Sequence, residues 1–214
     1  MLVLNTRQLD WAIGDARGVA IELNSKKRLN KGFRGVTIEM CYSLAKGLYS
    51  ISEAIDNLDY RLRENFKDNK ANQNKRSICK KLLVDFYDFI DHIGLVCTQN
   101  FTRINISIDQ QRKIGGNSCA IFQYIDKEKY CGVLIIEDEF DYSNSLRLHI
   151  ERYTIAQRMN IDKLDEIDFY LFRLFDSSYE LLSNKIIEIE QIRHISVNIF
   201  ENDERELADL DKSA

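Results

Sequence analysis

The chain has 214 residues, of which 44% are hydrophobic and 30% charged, with a formal net charge of −4. Those proportions exclude a disordered or fibrous protein and suit one globular domain with a sizeable core. No apolar run, Val133–Ile136 being typical, approaches the ~18 residues of a membrane-spanning helix, so no membrane role is expected.

No signal-peptide core follows Met1, and the five cysteines contain no CxxC pair. Both features read as free thiols in a reducing cytoplasm. Proline is absent, where average usage would supply about ten, so long unkinked helices are permitted. The richness in Asn, Ile, Lys and Asp suits an AT-rich microbial or phage source. The charge is unevenly spread. Residues 1–113 hold 19 Lys/Arg against 13 Asp/Glu, a net +6, and residues 114–214 hold 11 against 21, a net −10. Such polarity provides for an anionic partner, for attraction between copies, or for neutralisation inside the fold.

In chain order, residues 6–23 place Leu9, Ala12, Ile13 and Ala16 on one helical face. A glycine-bounded basic loop follows, with Lys26, Lys27, Arg28, Lys31 and Arg34 around Phe33. From 37 to 66 the apolar positions Cys41, Leu44, Leu48, Ile51, Ile55, Leu58 and Leu62 recur at spacings of three and four. That pattern predicts one long helix with a heptad seam, opened by Thr37 as cap. The polar stretch 67–75 is predicted to link it to a second helix, 76–97, as an antiparallel hairpin.

The period then changes to two. Ile104, Ile106 and Ile108 alternate with polar residues, and 118–125 and 130–137 are rich in β-branched and aromatic residues. Gly115-Gly116 reads as the first turn and Asp126–Lys129 as the second, which predicts a small three-stranded antiparallel sheet over 102–137. Helix returns at 144–158, then over 162–195, where a continuous helix would be about 50 Å long. Residues 195–200 can alternatively form a strand. The expected fold is therefore α+β and predominantly helical, a single domain over 1–200. An acidic, frayed tail over 201–214 completes it.

Chemistry is sparse in this sequence. There is no GxGxxG or GxxxxGK[ST], so Rossmann and P-loop nucleotide sites are excluded. Ser43/Lys46 and Ser77/Lys80 match SxxK without its companion motifs. His92, His149 and His194 lack the HExxH spacing, the nearest pairs being Asp91/His92 and His149/Glu151. Glu137, Asp138 and Glu139 end an apolar strand as nuclease acids do, but no lysine stands two residues on, and a solvated strand end is expected. Neither a catalytic site, a metal nor a cofactor is expected.

Two readings follow. In the first the chain is a non-enzymatic interaction protein, an accessory or scaffold subunit of a larger cytoplasmic assembly. It would oligomerise or bind its partner through Leu48, Ile51, Ile55, Leu58, Phe172 and Phe175. The alternative is a nucleic-acid-binding protein or nuclease-complex subunit. There Lys26, Lys27, Arg28, Lys31, Arg34, Lys75, Arg76, Lys80 and Lys81 would meet phosphates while Phe33 stacks on a base.

Overall fold

The computed structural model describes residues 2–5, 32–99, 103–110, 112–117, 119–136, 146–174 and 176–182, with isolated positions at 190, 191 and 197. After β1 (Leu2–Asn5) come three helices, α1 (Phe33–Ala45), α2 (Ile51–Asn65) and α3 (Lys70–Ile93). Five strands follow: β2 (Leu95–Gln99), β3 (Arg103–Ser107), β4 (Arg112–Asn117), β5 (Ala120–Tyr124) and β6 (Tyr130–Ile136). The described chain then runs through α4 (Leu146–Met159), a 3₁₀ turn (Leu164–Glu166), β7 (Asp168–Arg173) and β8 (Tyr179–Leu181).

The predicted helix 37–66 is two helices. Gly47 takes φ 68° and ends α1, its N–H bonding Leu44 O at 2.8 Å while Leu48 N–H bonds Ser43 O at 3.2 Å. This is the left-handed C-terminal cap that glycine makes cheap. Three residues on, Ser50 accepts from Glu53 N–H and the Glu53 carboxylate accepts from Ser50 N–H, a reciprocal cap that restarts the chain as α2. These caps override the heptad spacing. Thr37 is no cap: it lies inside α1, where its hydroxyl donates to Phe33 O at 2.9 Å. The polar stretch 67–75 is mostly helix too, because Asn69 caps α3 by accepting from Asn72 N–H at 2.9 Å. Gly94, at φ 71°, closes that helix.

The small three-stranded meander is overturned by a five-stranded mixed sheet in the order β2-β5-β6-β7-β8. The β5–β6 hairpin predicted across Asp126–Lys129 is present within it. The alternating isoleucine strand, β3, instead joins β4 and β1 in a separate small sheet. Gly115 and Gly116 are not a turn there but lie within β4, opposite Asn105 and Ile104.

The predicted long helix 162–195 is the largest departure. Its first part folds as the 3₁₀ turn and then as β7, which runs parallel to β6 with Val133 beside Tyr170 and Ile135 beside Phe172. β8 returns antiparallel, Phe172 opposite Tyr179. The physical reason is burial on both faces. Tyr170 and Phe172 point into the α1–α3 layer with Phe122, Val133 and Ile135. Phe169 and Leu171 point the other way, into a second core with Ile121, Leu134, Leu148 and Ile155. A strand apolar on both faces shows no alternation, so its periodicity cannot be told from that of a buried helix.

The result is three layers, with α1–α3 on one face of the sheet and α4 on the other. Phe86 and Phe89 of α3 meet Phe172 at ring-centroid distances of 5.2 and 5.5 Å, which seats the longest helix over β7. Among the described residues no helix is long and apolar enough to cross a membrane.

Candidate functional site

The sequence-predicted basic residues divide into three groups. Lys26, Lys27, Arg28 and Lys31 lie outside the described residues. Arg76 and Lys80 are committed inside the fold. Arg76 is buried, its Nη2 donating to Asp68 at 2.6 Å with its Nε 3.9 Å from Asp59. Lys80 Nζ stands 2.9 Å and Arg63 Nε 2.8 Å from the same Asp59 carboxylate. Burial opposes ionisation of Asp59, but the bonds and charges of Lys80 and Arg63 outweigh it and hold the carboxyl below its ordinary range. This part of the positive charge is neutralised between α2 and α3.

Arg34, Lys75 and Lys81 remain at the surface. Phe33, expected to stack on a base, stacks instead on Phe66 at 3.9 Å with an interplanar angle of 15°. The Lys75 ammonium sits 5.5 Å from the Phe33 ring centroid.

The predicted interface residues are not brought together on a surface. Leu58 and Phe172 are completely buried core residues. Ile51 and Ile55 are half-buried and packed against that core. Only Leu48, 62% exposed in the turn between α1 and α2, faces solvent. Phe175 lies outside the described residues. The heptad seam packs helix on helix within one chain, the commonest use of such a pattern.

What does come together is a cleft of about 500 Å³ between the start of α1 and the middle of α3. Cys79, Leu82 and Leu174 form its buried floor, Ile78 is 58% exposed on its wall, and Arg34 and Lys75 line it alongside. Gly32 is the N-cap residue of α1, with no side-chain cap and no acid in the first turn. The positive end of the helix thus adds to the two cations rather than being offset. Burial pushes the Cys79 thiol above its usual range, so it acts as apolar floor and not as a nucleophile. The arrangement suits an apolar group that carries negative charge at its edge.

A second cleft, of about 510 Å³, separates α3 from the β7–β8 turn. Lys81, Asp85, Asp88 and His92 recur along one face of α3, opposite Ser177 and Tyr179. The Ser177 hydroxyl donates to Asp85, and the Tyr179 ring lies 4.6 Å from Phe89, so these contacts clasp the hairpin to the helix.

Sequence reading missed a buried polar group at the carboxyl end of β6. Glu151 is wholly buried, its Oε2 accepting from Cys119 N–H at 2.9 Å and its Oε1 standing 3.6 Å from Arg147 Nε. Burial raises the Glu151 carboxyl above its ordinary range against the pull of Arg147. Nearby, β5 stops pairing at Ala120 while β6 continues. The Tyr42 hydroxyl fills the gap, donating to Val133 O at 3.4 Å and accepting from Ile135 N–H at 3.3 Å. The Arg147/Glu151 spacing of four was the available signal, masked by attention to His149 and Glu151 as ligands. Among the described residues no group of three metal-ligating side chains assembles.

Compared with known proteins, the sequence matches no family model and no curated relative.

Proposed function

We propose that the chain is a non-enzymatic interaction protein, an accessory or scaffold subunit of a larger cytoplasmic assembly, that docks a partner in the α1/α3 cleft. One observation carries this reading: Ile78 stands 58% exposed over an apolar floor, beside Arg34 and Lys75. An open apolar recess edged by cations suits a protein segment that pairs apolar with acidic side chains. The test is co-purification of the tagged full chain from its native cells, compared with Ile78→Asp. An exposed position tolerates that change within about 0.5 kcal/mol of stability, so the fold is retained. The assembly should be lost. A strict monomer by light scattering that recovers no stoichiometric partner would sink the reading.

Nucleic acid is the second reading, favoured by the uncapped start of α1 directly after Lys26, Lys27, Arg28 and Lys31 in sequence. It ranks lower because Asp59 and Asp68 already engage Arg76 and Lys80. Filter binding of a single-stranded oligonucleotide at two salt concentrations decides it. Phosphate contacts predict affinity that falls steeply with salt and weakens in the Lys26→Ala/Lys27→Ala/Arg28→Ala variant.

A further inference from the structure

We infer that residues 201–214 occupy the α1/α3 cleft of their own chain and compete there with the partner. The inference rests on the reading of that cleft as a docking site. The segment carries six acids against two bases, with Leu207 and Leu210 three positions apart among them. That spacing sets two apolar side chains close together with carboxylates around them, the complement of an apolar floor edged by Arg34, Lys75 and the positive end of α1.

Reach and concentration favour the chain's own segment over that of a second copy. The described chain leaves β8 beside α3, where Tyr179 packs on Phe89. From Leu182 to position 201 an extended backbone covers roughly 60 Å, which exceeds the width of about 40 Å expected for a domain of this size. A flexible tether of that kind gives an effective concentration approaching millimolar, well above the micromolar concentration of a second copy. A partner must therefore displace the segment, and its apparent affinity is lowered by the fraction of clefts already filled.

The test is carbodiimide cross-linking of the full chain, with the linked peptides identified by mass spectrometry in the monomer band. The expected links join Lys75 Nζ to Glu204, Glu206 or Asp209. They should form in about 0.01 M salt, where the screening length is roughly 30 Å. They should fall at least about fivefold in about 1 M salt, where it is roughly 3 Å. Lys75→Arg removes the reactive amine and should abolish those links. Leu207→Asp/Leu210→Asp adds acids while removing the apolar contact, so docking predicts fewer links to Lys75 and bare charge attraction predicts more.

The inference is overturned by the absence of such links in the monomer. It is equally overturned by links confined to a dimer band, by Lys75 linking to another segment instead, or by links that survive or increase in the double variant. Co-purification lost in Ile78→Asp with no link from 201–214 removes this inference and leaves the docking reading standing. Links present with the partner still bound to Ile78→Asp removes the docking reading, and the competition with it.

Discussion

Gly132 shows how far a single position can be fixed by packing. A Cβ added there would press into the Phe169 ring and come within 2.9 Å of Cys119 Sγ, so β6 and β7 can lie this close only without a side chain. Gly132→Ala should therefore cost about 1–3 kcal/mol through overpacking. In a chain of this size that lowers the thermal midpoint by roughly 2–4 °C per kcal/mol. Scanning calorimetry on both proteins measures it, and an unchanged midpoint would contradict the close contact. His149 makes a second prediction at the same scale. Burial, helped by Arg152, pushes its pKa down from 6.5 to about 4. The folded state thus binds that proton less readily than the unfolded state. The contribution of His149 to stability is complete above pH 6.5 and is lost as the pH falls towards 4. The loss is on the order of 2–3 kcal/mol. Urea melts of the wild type and His149→Gln between these pH values should show a shallower decline in the variant, and parallel curves would refute the assignment. Neither residue announced itself in the sequence, since Gly132 sits in an ordinary apolar run and His149 on an ordinary helix face.

Helix ends were legible in principle. Leu44-Ala45-Lys46-Gly47 followed by Ser50 and Glu53 contains both a glycine stop and a reciprocal cap, and these divide α1 from α2. The heptad count hid them, because Cys41, Leu44, Leu58 and Leu62 are genuine core positions on either side of the break. Periodicity reports which face is buried, not whether the backbone continues across a turn. Ser50→Ala should cost about 1 kcal/mol by orphaning the Glu53 N–H. Glu53→Ala alone should cost less, because its exposed carboxylate can be replaced by water at the Ser50 N–H. Chemical denaturation of the two variants would expose a false assignment if Ser50→Ala matched the wild type. The strand errors have a different origin. β3 was recognised because its outward residues Asn105 and Ser107 are exposed. β7 was misread because Phe169 to Phe172 are all buried, two by α3 and its neighbours and two by α4. The α1/α3 cleft combines residues 32–34, 75–82 and 174, and no local pattern joins those segments.

At the scale of the molecule, the two-sided burial that concealed β7 sets the distribution of stability. β5, β6 and β7 are covered on both faces, with Phe122, Val133, Leu134, Phe169, Leu171 and Phe172 fully buried. β8 is different, since Tyr179, Glu180 and Leu181 are all exposed and pair only with β7. Opening β8 releases its contacts with β7 and the Ser177–Asp85 bond. Opening β6 breaks ladders to both β5 and β7 and exposes both cores at once, so it amounts to global unfolding. Native-state hydrogen exchange should therefore group the Val133, Leu134 and Ile135 amides with the global free energy of unfolding, while β8 amides exchange through local openings. The gap should span several kcal/mol, because global stabilities of domains run to about 5–15 kcal/mol while edges open nearly freely. Equal protection in β6 and β8 would mean that β8 is part of the cooperative core. The α1/α3 cleft stands on the protected side of this division, because its floor residues Cys79, Leu82 and Leu174 belong to the core shared by α1–α3 and the sheet. A recess on so rigid a base keeps its shape whether filled or empty, so occupancy should raise protection of the Ile78 and Cys79 amides little. The measurable consequence of docking then falls on the segment that enters the cleft, whose own amides pass from open exchange to slow.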